Sequence, residues 1–213
     1  LGTIVVVPIG LYCLFYLLSI NNIYICNDPN ELTFINLIKE VFYMMIGCDF
    51  LFYWVHRALH HPLLYKHIHK QHHEYKGTNI WASEYFGVID MIFNILPGVI
   101  PGALIHAHFG SILIFTIIRE WQTVQSHAGY ELPWDILNYG IFHGGARRHD
   151  FHHSHNTGCY GDWFPFWDWV CGTDISYKTY YENNSINDID NDNEEGNDVD
   201  VDSDGDREKD KEN

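Results

Sequence analysis

H-R-A-L-H-H-P-L-L-Y-K-H-I-H-K-Q-H-H, residues 56–73, contains seven histidines in eighteen residues. Helical residues four positions apart share one face, so the spacing of His56 and His60 predicts two imidazoles on one side of a helix. The H-x-x-H-H group at residues 69–73 has the spacing of a second helical face. Neutral imidazole nitrogens suit iron, copper, nickel or zinc. The stretch therefore predicts part of a transition-metal site.

The same H-x-x-H-H spacing returns at residues 149–153, which gives the chain three histidine groups. They hold eight of the 15 histidines: His56, His60, His69, His72, His73, His149, His152 and His153. One ion takes about four to six ligands, so eight imidazoles predict two ions. The sequence has neither the E-x-x-H of soluble dinuclear carboxylate bundles nor the H-E-x-x-H of zinc metalloproteases. A dinuclear centre with imidazole ligands is therefore favoured over both.

Long apolar segments flank the histidine groups. Residues 1–20 carry no charge, and about twenty apolar residues are enough to cross a bilayer core about 30 Å thick. A signal peptide is the competing interpretation, but the segment lacks a basic start and a clear cleavage site. Residues 32–55 are a second such segment, and residues 86–105 and 111–118 predict a helical hairpin. We expect an all-α integral membrane protein with about four transmembrane or hairpin helices.

Basic residues follow the second apolar segment, at Arg57, Lys66, Lys70 and Lys76. Such residues beside a membrane span mark its cytoplasmic side. An even number of crossings separates the histidine groups, so we expect all three on that side, in a cytoplasmic histidine-rich helical cap. The turn of the hairpin would lie on the opposite side, which removes His106 and His108 from the candidate ligands.

The end of the chain has a different composition. Residues 182–213 hold 14 of the 28 acidic residues and few apolar ones, so they cannot bury enough surface to fold. We predict a folded membrane domain at residues 1–181 and a disordered acidic tail at residues 182–213. The terminal K-D-K-E-N resembles a dilysine retrieval signal of the endoplasmic reticulum.

The five cysteines form no C-x-x-C pair. Their odd number and wide spacing argue against a disulfide framework and against a thiolate metal site. We expect them to behave as small buried apolar residues.

Several strings together resemble the fatty acid hydroxylase and sterol desaturase superfamily, over residues 40–180. They are H-R-A-L-H-H (56–61), Y-K-H-I-H-K-Q-H-H-E-Y (65–75), S-E-Y (83–85), H-A-G-Y (127–130), G-G-A-R-R-H-D-F-H-H (144–153) and W-D-W-V-C-G-T-D (167–174). The resemblance implies a membrane non-haem di-iron oxidoreductase that activates O2. Within the superfamily, the strings are most similar to the branch that oxidises the C-4 methyl group of sterols in sterol biosynthesis.

The resemblance also implies roles for individual residues. His127 joins the eight histidines above as a ninth ligand, and His61 and His67 are bystanders. Arg148 stands where the family carries another histidine or an aromatic residue, and His155 is near enough to substitute. Asp150 and Asp168 are candidates to orient imidazole N–H groups; a helix cap or a surface acid is the alternative for each.

The implied cofactors are two iron ions, with zinc as a substitute, and O2. Electrons would come from NAD(P)H through cytochrome b5 and its reductase, and the sterol would enter from the bilayer. The implied location is the endoplasmic reticulum membrane, with the histidine groups and the C-terminus cytoplasmic; nucleic acid is not an expected partner. Two alternatives stay open: another lipid hydroxylase or desaturase of the superfamily, such as a sterol 25-hydroxylase, and a non-enzymatic membrane protein that binds or transports zinc.

Overall fold

The computed structural model describes residues 25, 26, 28–134 and 145–183. The predicted span at residues 1–20 and residues 184–213 of the predicted tail lie outside these ranges. The chain divides into two compact units, Leu1–Ile175 and Ser176–Asn213. In the second unit the described residues, 176–183, are helical.

The first unit is built from helices: α1 (Phe34–Leu59), α2 (Pro62–Tyr65), α3 (Val88–Leu104), α4 (Phe109–Ser126), α5 (Ala146–His155) and α6 (Phe166–Cys171), with short 3-10 helices at His72–Glu74 and Ile80–Glu84. Apart from one isolated bridge between Cys26 and His108, the described residues contain no strand pairing. The prediction of an all-α fold is confirmed.

Helix α1 is the element on which the others are arranged. It begins at the Thr33 cap, whose Oγ1 accepts a hydrogen bond from Asn36 N at 3.2 Å. It ends at His60, and Pro62 then starts α2 in its first turn, where the missing N–H of proline is tolerated. The end of α1 therefore delivers His56 and His60 to the start of a sharply turning segment.

Helices α3 and α4 both pack on α1. The shared core includes Met44 and Cys48 of α1, Phe115 of α4 and Trp163 from the loop before α6. Gly47 lets α1 approach α3 closely, because a Cβ at this position would lie 2.8 Å from Cβ and Cγ of Pro101. The contact between Gly47 and Pro101 therefore marks the point at which α1 and α3 cross.

The predicted hairpin is formed by α3 and α4, and α3 continues through both of its internal prolines, Pro97 and Pro101. His106 lies in the connecting turn with a left-handed φ of 52°. His108 caps α4, since its Nδ1 accepts a hydrogen bond from Gly110 N at 2.9 Å. Neither residue belongs to the histidine groups described below.

The outer face of α1 is strongly apolar. It exposes a large apolar side chain at every fourth position: Phe34, Ile38, Phe42, Ile46, Phe50 and Trp54. Among the described residues, no helix combines the length and the apolar character needed to cross a membrane. The membrane topology stays a prediction.

The crossing of α1 and α3 predicts the effect of one methyl group. Gly47→Ala places a Cβ against Pro101, and overpacking of this kind costs about 1–3 kcal/mol. We expect a lower melting temperature in a thermal unfolding experiment. Gly77→Ala is the matched control, because nothing lies within 4 Å of its Cβ position; equal losses in both variants would contradict the close crossing.

Candidate metal centre

The structure gathers all nine predicted histidines into two adjacent groups. The five-histidine group consists of His56, His60, His69, His73 and His152. The four-histidine group consists of His72, His127, His149 and His153. In each group, one nitrogen per ring lies within 4.8 Å of the others, so a single ion can reach all of them. The rings of His73 and His153 stack with centroids 4.4 Å apart and join the two groups.

The third histidine motif divides between the groups. On α5, His149 and His153 face the four-histidine group, whereas His152 faces the five-histidine group. Neighbouring positions on a helix point about 100° apart, so His152 and His153 cannot aim at the same ion. One short helix therefore supplies ligand atoms to both positions.

The expectation that residues 69–73 form one helical face is wrong. The chain there consists of turns followed by a 3-10 helix, because Lys70 N bonds to Tyr65 O, five residues back, and interrupts the α-helical ladder. His69 and His73 consequently face the five-histidine group while His72 turns to the other group.

Four rings of the centre are oriented by main-chain carbonyls. The contacts join Nδ1 of His56 to Tyr160 O (3.0 Å), of His127 to Thr123 O (2.8 Å), of His152 to Gly158 O (2.7 Å) and of His153 to Tyr75 O (3.2 Å). A carbonyl oxygen can only accept, so Nδ1 of each ring carries the proton and donates it. The lone pair is then left on Nε2, as in metal-bound histidines whose other nitrogen is hydrogen-bonded.

Asp90 is the carboxylate that touches a ring of the centre. His69 Nδ1 donates to its Oδ2 at 2.9 Å, and Asp90 itself is 0% exposed. Asp90 is the only charged residue in α3. Sequence reasoning missed it, although a lone acid near the start of an apolar helix was the available signal. It makes the five-histidine group the one with an anionic hydrogen-bond acceptor behind a ligand.

Asp150 and Asp168, the acids expected to orient imidazoles, bond elsewhere. Asp150 accepts from Thr78 N and Oγ1 at 2.8 and 2.9 Å. Asp168 accepts from Tyr160 N and Gly161 N at 2.8 and 2.9 Å. Both carboxylates therefore accept hydrogen bonds from loop groups rather than from the imidazoles of the centre.

These two acids still serve the centre, through the loops that they hold. The loop fixed by Asp168 carries Tyr160 O, which orients His56. The same loop is also held by Asp49 of α1, which accepts hydrogen bonds from Trp163 N and Phe164 N at 2.8 and 3.0 Å. Asp150 similarly binds the segment that follows Tyr75, whose carbonyl orients His153. Two of the four carbonyl acceptors, Tyr160 O and Tyr75 O, thus lie in segments that carboxylates anchor.

The arrangement of the lone pairs fits a bound cation. His149 Nε2 lies 2.9 Å from His127 Nε2 and 3.2 Å from His153 Nε2. Both partners hold their proton on Nδ1, so two lone pairs face an atom that can donate to only one of them. In the other group, Nε2 of His60 and of His152 are buried without a hydrogen-bond partner among the described residues. Such groups are costly to bury unless an ion satisfies them.

Burial also keeps these rings neutral, which metal binding requires. Removal from water and repulsion by His69 lower the pKa of His60 to about 3. Burial and repulsion by His153 likewise lower the pKa of His127 to about 3. A soft, neutral nitrogen set of this kind suits a first-row transition ion better than magnesium or calcium.

Among the described residues, the other histidines and Arg148 lie outside the two groups. His61 caps α2 by accepting from Leu63 N at 3.4 Å, and His67 is exposed. His155 is exposed as well, and its Nδ1 lies 3.1 Å from Phe151 O. Arg148 is buried and its Nη2 lies 3.4 Å from Asp168 Oδ2. Arg148 therefore contacts the acid that holds the loop behind His56.

A cavity of about 380 Å³ opens beside both histidine groups, which is within the size range of small-molecule pockets. Its histidine wall includes His56, His69, His72, His127 and His149. Its apolar wall is lined by Phe52, Val55, Leu59, Phe86, Met91, Phe93 and Ile95. An apolar molecule in this cavity would lie directly against the candidate metal positions.

The cavity also has a polar side. Arg119 Nε and Asp162 Oδ2, both on the cavity lining, are 3.8 Å apart. Gln122 Nε2 donates to the main-chain oxygen of Asp162 at 3.0 Å, and the Arg119 guanidinium lies over the Phe52 ring at 5.8 Å. The cavity is therefore amphipathic, with buried charge on one side and apolar rings on another.

The contact between Asp90 and His69 predicts a change in metal affinity. Asp90→Asn keeps the shape but removes the negative charge behind the ring, and loss of such a partner typically weakens metal binding about 10–100-fold. Competition with a chelator measures this loss. Asp28→Asn, at an exposed acid before α1, is the control; an unchanged affinity in Asp90→Asn would contradict the assigned role.

Comparison with known proteins agrees with this arrangement. Residues 41–173 match the sequence profile of the fatty acid hydroxylase family. The chain is 37% identical over 152 residues to methylsterol monooxygenase 2-2 of Arabidopsis thaliana, with 68% of this chain and 57% of the relative covered. It is 36% identical over 141 residues to methylsterol monooxygenase 1 of Rattus norvegicus, with 64% and 48% covered.

Relatives with another activity match equally well. A very-long-chain aldehyde decarbonylase of Oryza sativa subsp. indica is 35% identical over 145 residues, covering 67% of this chain and 54% of the relative. No solved structure matches the chain. The chain spans about half the length of the curated relatives it matches. The profile match and these identities establish that the chain belongs to the fatty acid hydroxylase family.

Proposed function

We propose that this chain is a membrane non-haem di-iron monooxygenase that oxidises the C-4 methyl group of a sterol. Its similarity to proteins named methylsterol monooxygenase supports this proposal. The observation that carries the proposal is the pair of histidine groups beside an amphipathic cavity. Histidine ligands suit iron, and the cavity offers a place where a lipid lies against them.

The nine histidines would hold two iron ions, one in each group, with zinc as a substitute in either. Bound iron would supply the activation of O2 and the attack on an unactivated C–H bond. Main-chain carbonyls keep the proton of four rings on Nδ1, and Asp90 does the same for His69. These contacts set the direction of each Nε2 before an ion binds, which lowers the cost of organising the centre.

The cavity walls would bind the substrate and exclude water from the centre. Phe52, Phe86 and Met91 offer apolar surface to a sterol skeleton, and the polar side at Arg119 and Asp162 offers hydrogen-bonding groups. Exclusion of water from such a site strengthens the electrostatic interactions inside it and suppresses side reactions.

Insertion of one oxygen atom into a C–H bond sends the other oxygen atom of O2 to water and consumes two electrons and two protons per turnover. The electrons would come from NAD(P)H through cytochrome b5 and its reductase. The first product would be the alcohol, and two further oxidations would give the aldehyde and the acid.

The exposed apolar side chains support an association with a bilayer. They extend along α1 at every fourth residue and continue on α3 and α4, for example at Ile92 and Ile117. Apolar surface of this extent is characteristic of an interaction face. It supports the proposed membrane location, which we place in the endoplasmic reticulum as a multi-pass protein with the histidine groups on the cytoplasmic side.

The relatives provide a reason to test other substrates. Similar identities to methylsterol monooxygenases and to an aldehyde decarbonylase mean that overall similarity does not select the substrate. A long-chain aldehyde is therefore the second candidate substrate. A sterol side chain, as for a 25-hydroxylase, and plain zinc binding complete the alternatives.

The direct test supplies the purified, iron-loaded protein with O2, an electron source and a 4,4-dimethylsterol. We expect oxidation at the C-4 methyl group, detected by mass spectrometry as the alcohol and then the 4-carboxysterol. An alkane formed from a long-chain aldehyde, or a side-chain alcohol, would point to the other lipid activities. Reversible zinc binding without O2 consumption would contradict the proposal that the protein is an oxygen-dependent enzyme.

The same assay has a matched pair of histidine variants. His152→Ala removes a 0%-exposed ring of the five-histidine group and is expected to abolish turnover without releasing the protein from membranes. His155→Ala removes an exposed ring three residues further along the same helix and is expected to leave turnover near the wild-type value.

A further inference from the structure

An open hollow of about 780 Å³ is lined by the sequence neighbours of His69, whereas His69 itself lines the cavity of the centre. One wall comes from the turns between α2 and the first 3-10 helix, with Lys66, His67 and Lys70. The other wall comes from Tyr85 and the first residues of α3 up to Asp90. Neither lysine takes part in an ion pair within the described residues.

The charge of this region is opposite to that of the chain. Residues 57–76 contain four bases and one acid, whereas the whole chain has a net charge of −16. The four bases, Arg57, Lys66, Lys70 and Lys76, are all exposed. The one acid, Glu74, accepts a hydrogen bond from Tyr85 Oη at 2.9 Å. A local positive field of this kind steers acidic partners toward the surface.

Asp90 connects the hollow to the metal centre. It forms part of the wall of the hollow, and its carboxylate contacts His69 Nδ1 at 2.9 Å. The route from the wall of the hollow to a candidate ligand is therefore one carboxylate and one imidazole, both buried. The Nδ1 atoms of His56, His127, His152 and His153 contact main-chain carbonyls instead, and His127 Nδ1 also lies 3.3 Å from Ser126 Oγ.

We propose that the hollow is the docking site of an acidic, one-electron carrier protein, which reduces the centre along Asp90 and His69. The inference rests on the proposed function, because each turnover needs two electrons from outside the centre. The carrier gives up one electron per docking event and leaves in its oxidised form, so two successive dockings would supply the two electrons of one turnover. The lysines set the encounter rate and the orientation of the carrier.

The test compares Lys66→Glu/Lys70→Glu with the wild-type protein, using the soluble haem domain of cytochrome b5 as an acidic electron donor. At low ionic strength we expect the KM for this donor to rise about 10- to 100-fold and its salt dependence to weaken. Reduction by dithionite bypasses docking, so single-turnover product with dithionite is expected to stay at the wild-type amount. Lys39→Glu/Lys178→Glu, at two exposed lysines outside the hollow, is the matched control.

Failure of the docking site and failure of the proposed function give different results. If dithionite yields no product in the wild-type protein, the proposed function fails, and direct binding of the donor to the full chain still tests the hollow. An unchanged donor KM and unchanged donor binding in the hollow variant would overturn the docking proposal.

Two other outcomes would also overturn the docking proposal. If the hollow variant loses binding to phosphatidylserine vesicles while its donor KM stays unchanged, the lysines contact lipid headgroups. The second outcome combines two results: truncation after residue 183 lowers the donor KM, and the hollow variant of the full chain has an unchanged donor KM. The acidic end of the chain would then act on docking elsewhere, and the hollow would have no part in it.

Discussion

Burial of nine neutral imidazoles with converging lone pairs is the constraint on which the structure depends. A buried acceptor that faces another acceptor is unfavourable, and here several do so at about hydrogen-bond distance. A proton on His149 Nε2 satisfies one of the two facing lone pairs, whereas a bound cation would satisfy both. If the two groups bind ions as proposed, metal binding and folding are coupled.

The rest of the architecture fixes the orientation of the imidazole rings. Helix α1 fixes His56 at its last turn, α5 presents rings to both groups, and two loops place carbonyls behind the rings. Carboxylates on α1, α5 and α6 then anchor those loops through main-chain N–H groups. His56 and His153 are thus supported twice, once by the contact of the ring with a carbonyl and once by the acid that holds the segment carrying that carbonyl.

The sequence predicted the composition of the centre because ligand spacing is a local property. The H-x3-H pair at residues 56–60, the two H-x-x-H-H groups and the H-A-G-Y string together contain the nine rings that the structure brings together. It did not predict how they divide, because that depends on the turns after Tyr65 and on the angle between His152 and His153. Asp90 was missed for the same reason: it lies 21 residues from His69 along the chain, and only the packing of α3 brings them into contact.

The central claim is that each histidine group holds one ion, and the metal content of purified variants tests it most directly. The wild-type protein should carry two iron ions per chain. His60→Ala/His152→Ala and His127→Ala/His149→Ala, one pair from each group, should each carry one ion, and His61→Ala/His67→Ala should keep both. A single ion in the wild-type protein, or two ions in either paired variant, would contradict the account.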